Sequence, residues 1–231
     1  MSGNHPAGVS LPFLPNPDLK PETGKTVEFG VNYSTNGVIQ ADDALRLKAA
    51  YFNNNVDDYI DGVTLSAFDP TSGCPFGPGI PICFQYQNFA KAKIHGFEME
   101  GVYDAAWGFA GLSASFTDGH TISYEGERAD LVTVPSSQIT GQLGFRFLED
   151  RLTIGGEVQY NGKPQGNPVA KDYTLVNAFA SYQATDNFKV DFRADNLFDV
   201  KYANPLNAST TSVVYEPGVT LKLAATMRFG G

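Results

Sequence analysis

The sequence predicts an all-β chain, the strands of a transmembrane antiparallel up-and-down β-barrel, on three observations. Apolar residues recur with a period of two, in segments of about ten residues. The connections between segments alternate between short and long. No run in the 231 residues approaches the roughly 18 apolar residues of a membrane-crossing helix. If this chain meets lipid, it does so as strands.

Each strand follows from its alternation. Val27, Phe29, Val31 and Tyr33 alternate with Glu28, Gly30 and Asn32. Leu45, Leu47, Ala49 and Tyr51 alternate with Arg46, Lys48 and Ala50. Next come Ile139/Gly141/Leu143/Phe145/Phe147, Leu152/Ile154/Gly156/Val158/Tyr160 and Phe188/Val190/Phe192/Ala194. The last set is Leu221/Leu223/Ala225/Met227/Phe229. Between Gln85 and Tyr103 the phase breaks, since Ile94 and Phe97 share a side only across a bulge near Gly96. Asn196-Leu197-Phe198-Asp199 interrupts the strand begun at Phe188.

Short turns fall at 36–43, 104–107, 148–151 and 184–187. Longer polar or Gly/Pro-rich segments fall at 62–84, 121–135, 161–172 and 203–212. That sorting is the plan of an outer-membrane barrel, and a soluble sandwich has no reason for it. Tyr33, Tyr51, Tyr103, Phe147, Tyr160, Tyr182 and Phe229 stand near strand ends, where interfacial girdles would lie. Taken singly, each is also what β-propensity gives.

Composition narrows the functions. Hydrophobic residues make up 42%, aromatics 13% and charged residues 18%, with a net charge of −9. That balance argues against a nucleic-acid partner, which needs clustered Lys and Arg. Met1 to Pro6 carry no basic or apolar region of a signal peptide. Cys74 and Cys83 bracket the stretch CPFGPGIPIC, a spacing that suits a disulfide closing a small loop. Such a bond is worth about 2–3 kcal/mol in the chain-entropy model and implies an oxidising compartment. A free buried pair is the alternative, and two cysteines do not by themselves make a structural zinc site. The disulfide and the missing leader pull in opposite directions.

The alternation gives about nine strands, an odd number. An open sheet in lipid would leave two edges of bare N–H and C=O groups, costing together on the order of tens of kcal/mol. A typical fold has about 5–15 kcal/mol to spare. The chain is therefore expected to be part of a larger wall.

Five stretches resemble motifs of TonB-dependent outer-membrane receptors. They are Asn16-Pro-Asp-Leu-Lys-Pro-Glu22 ahead of a strand, Tyr51-Phe-Asn-Asn-Asn-Val-Asp-Asp-Tyr-Ile60, Lys91-Ala-Lys-Ile-His-Gly-Phe-Glu98, Asp195-Asn-Leu-Phe-Asp-Val-Lys-Tyr202 and the terminal alternation to Phe229. The resemblance covers essentially the whole chain. It implies a 22-stranded barrel with a plugged lumen, of which this chain supplies strands 14 to 22. Residues 1–24 would then be an extracellular loop segment and 25–229 the C-terminal part of the barrel. The plug and the TonB-contacting segment are absent from this sequence, two glycines follow Phe229, and a leader upstream would reconcile the disulfide. The implied location is the bacterial outer membrane, with its lipid and the TonB complex as partners.

Within that family, His5 to Glu22 and the Cys74–Cys83 loop followed by Phe84-Gln-Tyr-Gln resemble the haem and haemoglobin receptor subgroup. The resemblance implies haem or a haemoprotein as ligand, transported and not used in catalysis. It makes His5 the candidate axial ligand of haem iron, a role that suits a neutral imidazole. A solvated loop histidine is the plainer reading of the same residue. His95 reads as a packing or lumen residue, and His120, at a strand's outer end, as a weaker second candidate. Asp57, Asp58 and Asp61 lack calcium-loop spacing and read as solvated surface. Neither a Gly-x-Ser-x-Gly elbow nor a His-Glu-x-x-His pair occurs, so no enzyme is expected. A ferric-siderophore receptor is the alternative within the family, although Arg128 is the one arginine of the outer loops. An autonomous small porin would need an even strand count.

Overall fold

The computed structural model describes residues 2–4, 10–75, 81–132, 134–204 and 213–229. The strands in chain order are β1 (Ser2–Asn4), β2 (Ser10–Leu14), β3 (Thr23–Asn36), β4 (Ala44–Asp57) and β5 (Ile60–Ser66). They continue as β6 (Ile82–Asn88), β7 (Lys91–Ala105), β8 (Gly108–Ile122), β9 (Arg128–Asp130) and β10 (Ser137–Phe147). The last are β11 (Leu152–Asn161), β12 (Tyr173–Thr185), β13 (Phe188–Asp195) and β14 (Thr220–Met227). Among the described residues there is no helix.

A small sheet has the order β1-β2-β6-β5, and a long one runs β14-β13-β12-β11-β10-β8-β7-β4-β3 with β9 added to β8. Leaving β9 aside, the long sheet counts nine strands among the described residues, as the alternation predicts. Between β4 and β7, which both belong to the long sheet, β5 and β6 form part of a long connection. The chain packs as two compact units. One comprises Met1–Thr26, Asn54–Ile94 and Gly119–Asp130, the other Val27–Asn53, His95–Asp118 and Leu131–Gly231.

The segment read as one irregular strand from Gln85 to Tyr103 is in fact two strands. β6 and β7 are separated at Phe89 and Ala90, while Ile94 and Phe97 both lie within β7. Gly96 answers to close packing: a Cβ there would stand 2.5 Å from the Phe116 carbonyl oxygen and 2.7 Å from the Phe52 ring.

In the second unit the apolar sets meet position by position. Phe145 stands opposite Gly108 on one side and Ile154 on the other; Ile154 faces Ala180, Ala180 faces Phe192 and Phe192 faces Leu223. Phe145, Ile154, Phe192 and Leu223 are all exposed. An apolar row this long, left uncovered, suits a hydrocarbon solvent rather than water. The alternate positions are mainly polar: Gln138 pairs with Asn161, Thr140 with Gln159, and Gln142 with Glu157. Phe109 and Phe179 also lie on this face, their rings stacked 6.4 Å apart, above Gly144 and Gly155. The two glycines leave room for them, since a Cβ on Gly144 would stand 2.5 Å from the Phe109 ring.

The short turns are fixed by side chains. Asp43, 1% exposed, accepts the backbone N–H groups of Val38, Ile39 and Gln40 at 2.6, 2.7 and 2.7 Å. The Tyr103 hydroxyl also donates to it, at 2.6 Å. Burial works to raise the Asp43 pKa, but these four donors outweigh burial and hold the carboxyl well below the usual carboxylate range. Leu148, Glu149 and Asp150 all have positive φ, which makes the next turn tight. The Arg151 N–H closes it on Leu148 O at 3.2 Å, and the Arg151 guanidinium ties it to the end of β12 by donating to Gln183 O at 3.0 Å and to Ala184 O.

Candidate functional site

The first unit holds the Asn16–Glu22 box, both cysteines and His120, while His95 falls in the second. The centre of the first unit is the hairpin of β5 and β6, paired from Ile60↔Asn88 to Ser66↔Ile82. β2 joins β6 in parallel, with Phe13 opposite Phe84 and Leu14 opposite Gln85. Only a long connection brings parallel neighbours together, and here the whole stretch from β3 to β5 intervenes.

What holds β2 there is the Asn16–Glu22 box. Asn16 Nδ2 donates to Tyr86 O at 2.9 Å, and Gln85 Nε2 to Pro15 O at 3.0 Å. Asn88 exchanges two bonds with Lys20: its Oδ1 accepts Lys20 N–H at 2.8 Å and its Nδ2 donates to Lys20 O at 3.0 Å. Glu22 Oε1 accepts the Ile60 N–H at 2.7 Å. Prolines explain why backbone-directed side chains are needed. Pro15, Pro17 and Pro21 have no N–H to give a ladder, so Asn, Gln and Glu supply the pairing.

Alternation sorts the faces of this sheet. Cys83 is fully buried and bonded to Cys74, with S–S 2.00 Å, which settles the cysteine question in favour of the disulfide. Ser72 Oγ holds the other end, accepting the Cys74 N–H at 3.1 Å and donating to Ser66 O at 2.7 Å. The opposite face carries Phe84 and Tyr86. Phe13 stacks on Phe84 with centroids 5.7 Å apart, and lies 6.1 Å from Tyr86. Phe13 and Tyr86 are 37% and 52% exposed. Across from Phe84 and Tyr86 on β5 stand Thr64 and Gly62, both small and exposed.

His5 and the loop 76–80 lie outside the described residues; the described pair Asn4↔Ser10 flanks the segment that carries His5. His95 is half-buried on β7, and His120 is 7% exposed on β8, packed rather than displayed. The three aspartates are engaged on the surface. Lys25 Nζ lies 3.4 Å from Asp57, the Tyr124 hydroxyl donates to Asp58 at 3.1 Å, and Asp61 accepts the Gly62 N–H at 2.7 Å. The bond to Asp58, then burial, raises the Tyr124 pKa. Burial, then the charges of Asp61 and Glu22, does the same for Tyr59.

The stretch Asp195–Tyr202 has a structural task in the second unit. Asn196, 2% exposed, donates its N–H to Asn177 Oδ1 at 2.8 Å, while its side chain accepts Val200 N–H at 2.8 Å and donates to Val200 O at 2.9 Å. Asn196 and Asp199 both have positive φ, which Asn and Asp tolerate better than most residues. Nearby, Arg193 pairs with Glu157 at 2.9 Å and Asp195 at 2.5 Å, and Lys222 reaches Asp195 at 2.7 Å. The aromatic trio was missed by sequence reading. Its signal, the spacing of Phe84 and Tyr86, was visible; its third member on a distant parallel strand was not.

A sheet of alternating strands with an uncovered apolar face and sorted connections defines an outer-membrane β-barrel wall. The family model for TonB dependent receptor-like, beta-barrel proteins matches residues 2–197, and the chain belongs to that family. The family is one of transport receptors of the bacterial outer membrane. Among curated relatives, "Hemin receptor" of Yersinia enterocolitica is 30% identical over 210 residues, covering 84% of this chain and 28% of its own length. "Heme/hemopexin utilization protein C" of Haemophilus influenzae is 26% identical over 209 residues, covering 82% and 28%. "Ferripyoverdine receptor" of Pseudomonas aeruginosa is 26% identical over 213 residues, covering 86% and 24%. The chain thus spans less than a third of the length of these relatives. A solved structure of the Serratia marcescens hemophore receptor HasR, with its hemophore HasA and heme, matches 99% of this chain and 34% of HasR at a TM-score of 0.68. At 23% identity that likeness speaks for the fold.

Proposed function

We propose that this chain is the C-terminal part of a TonB-dependent receptor that takes up haem, free or drawn from a haemoprotein such as haemoglobin. Residues 1–24 are an extracellular loop segment, and residues 25–229 are the C-terminal part of the barrel, its outer connections included. The observation that carries the reading is the docking of the Asn16–Glu22 box onto β5 and β6. It fixes the chain immediately after the His5 segment beside an exposed aromatic face. The relatives named for hemin and heme support the same ligand. His5 supplies the axial bond to haem iron. The TonB complex, acting through a plug domain, drives release inward, and no covalent bond of the ligand is made or broken.

The test is a hemin titration of the full-length receptor, followed by absorbance. The parent gives a ligated haem spectrum and supports import; His5→Ala loses the ligation signature. Equal binding and import by His5→Ala would show the ligand assignment to be wrong. The likeness to a ferripyoverdine receptor favours a second reading, uptake of a ferric siderophore.

A further inference from the structure

We propose that the exposed face of the small sheet is a flat ligand subsite, with Phe13, Phe84 and Tyr86 as its wall and Gly62 and Thr64 as its floor. It takes the apolar macrocycle of a porphyrin. The inference rests on the haem reading above and adds to it a site that works through the ring rather than through iron.

The register builds the shape. Phe13, Phe84 and Thr64 form one row across three strands, and Tyr86 with Gly62 forms the next. Residues directly opposite share a face of a sheet, so three rings stand together beside two small residues. A Cβ on Gly62 would meet nothing closer than Tyr86 Cε1 at 3.9 Å, so the floor is open and the backbone there accepts a side chain. Water is a poor partner for rings left this open. A planar, conjugated and largely apolar ligand offers offset stacking with the rings and lies flat over Gly62 and Thr64. A catecholate or hydroxamate chelate of iron, rounder and more polar, fits less well a wall whose one polar head is the Tyr86 hydroxyl. The sheet is held rigid from behind by the buried Cys74–Cys83 bond and from the side by the box.

Iron-free protoporphyrin IX separates this site from iron ligation. Its fluorescence is titrated on the full-length receptor in detergent, for the parent, His5→Ala, the double variant Phe84→Ala/Tyr86→Ala, and Gly62→Leu. The expected result is protoporphyrin binding retained in the parent and in His5→Ala. It weakens about tenfold or more in the double variant and in Gly62→Leu, the size expected for lost stacking and a filled floor. Gly62→Leu removes no ring, so a loss there reports obstruction rather than a collapsed sheet. Protoporphyrin and hemin affinities unchanged in both ring and floor variants would overturn the subsite while leaving the haem reading intact. A parent that binds neither hemin nor protoporphyrin would overturn both.

Discussion

Asn88 and Lys20 exchange two hydrogen bonds, at 2.8 and 3.0 Å, and so join the proline-rich box to the β5–β6 hairpin. Asn88 Nδ2 also reaches Asp58 O at 2.6 Å. One side chain therefore ties together three segments that the sequence keeps far apart.

Replacing Asn88 by alanine leaves the Lys20 N–H and two carbonyls without these partners. Each such loss costs about 1 kcal/mol where water can replace it and more where it cannot. The expected result is faster amide exchange and easier proteolysis within residues 12–22, with the long sheet unchanged. Hydrogen exchange with mass spectrometry reads both.

The disulfide is expected to act on the same small sheet. Replacing Cys74 and Cys83 together by serine removes a constraint worth about 2–3 kcal/mol in the chain-entropy model. Porphyrin affinity should fall, and heat resistance of the barrel should not. Binding at parental strength after full reduction would show that the bond does not support the site.

The wall was the legible part of the sequence, because lipid on one face and polar groups on the other impose a strict period of two. Leu143, Phe145, Ile154, Phe192 and Leu223 fall on the face their alternation predicts. Turn residues such as Asp43 and Asn196 marked the right places without revealing their bonds. The small sheet was not legible. Its β2–β6 pairing is parallel and distant, and local periodicity carries no information about a distant partner. The break at Phe89 and Ala90, where the chain passes from the small sheet to the long one, was therefore not seen. Phe109 and Phe179 escaped for a related reason: they stand on the polar face, in room made by Gly144 and Gly155 on other strands.

Asn196→Ala removes a buried side chain that caps its own turn, bonding Val200 N–H and O. A loss of about 2 kcal/mol is expected, since two half-buried backbone groups are left without these partners. Unfolding of the refolded receptor in urea checks it. An unchanged midpoint would show that the turn finds other partners.

Asp43 predicts a pH dependence. Its folded pKa lies below the unfolded value, so its contribution is complete above about pH 4, the ordinary aspartate range. It is lost as pH falls through the folded value. Asp43→Asn should therefore be less stable than the parent at neutral pH by a margin that holds down to about pH 4 and narrows below it. Parallel denaturation curves from pH 7 downward measure the margin. A gap that widens on acidification would have the wrong sign.

The central claim is that this wall belongs to a receptor for haem. An iron-starved bacterial host lacking its own haem and siderophore receptors, complemented with the full-length receptor, tests it most directly. Growth on hemin as iron source, and none on ferric siderophores, is the predicted result. Growth on a ferric siderophore with none on hemin would contradict it.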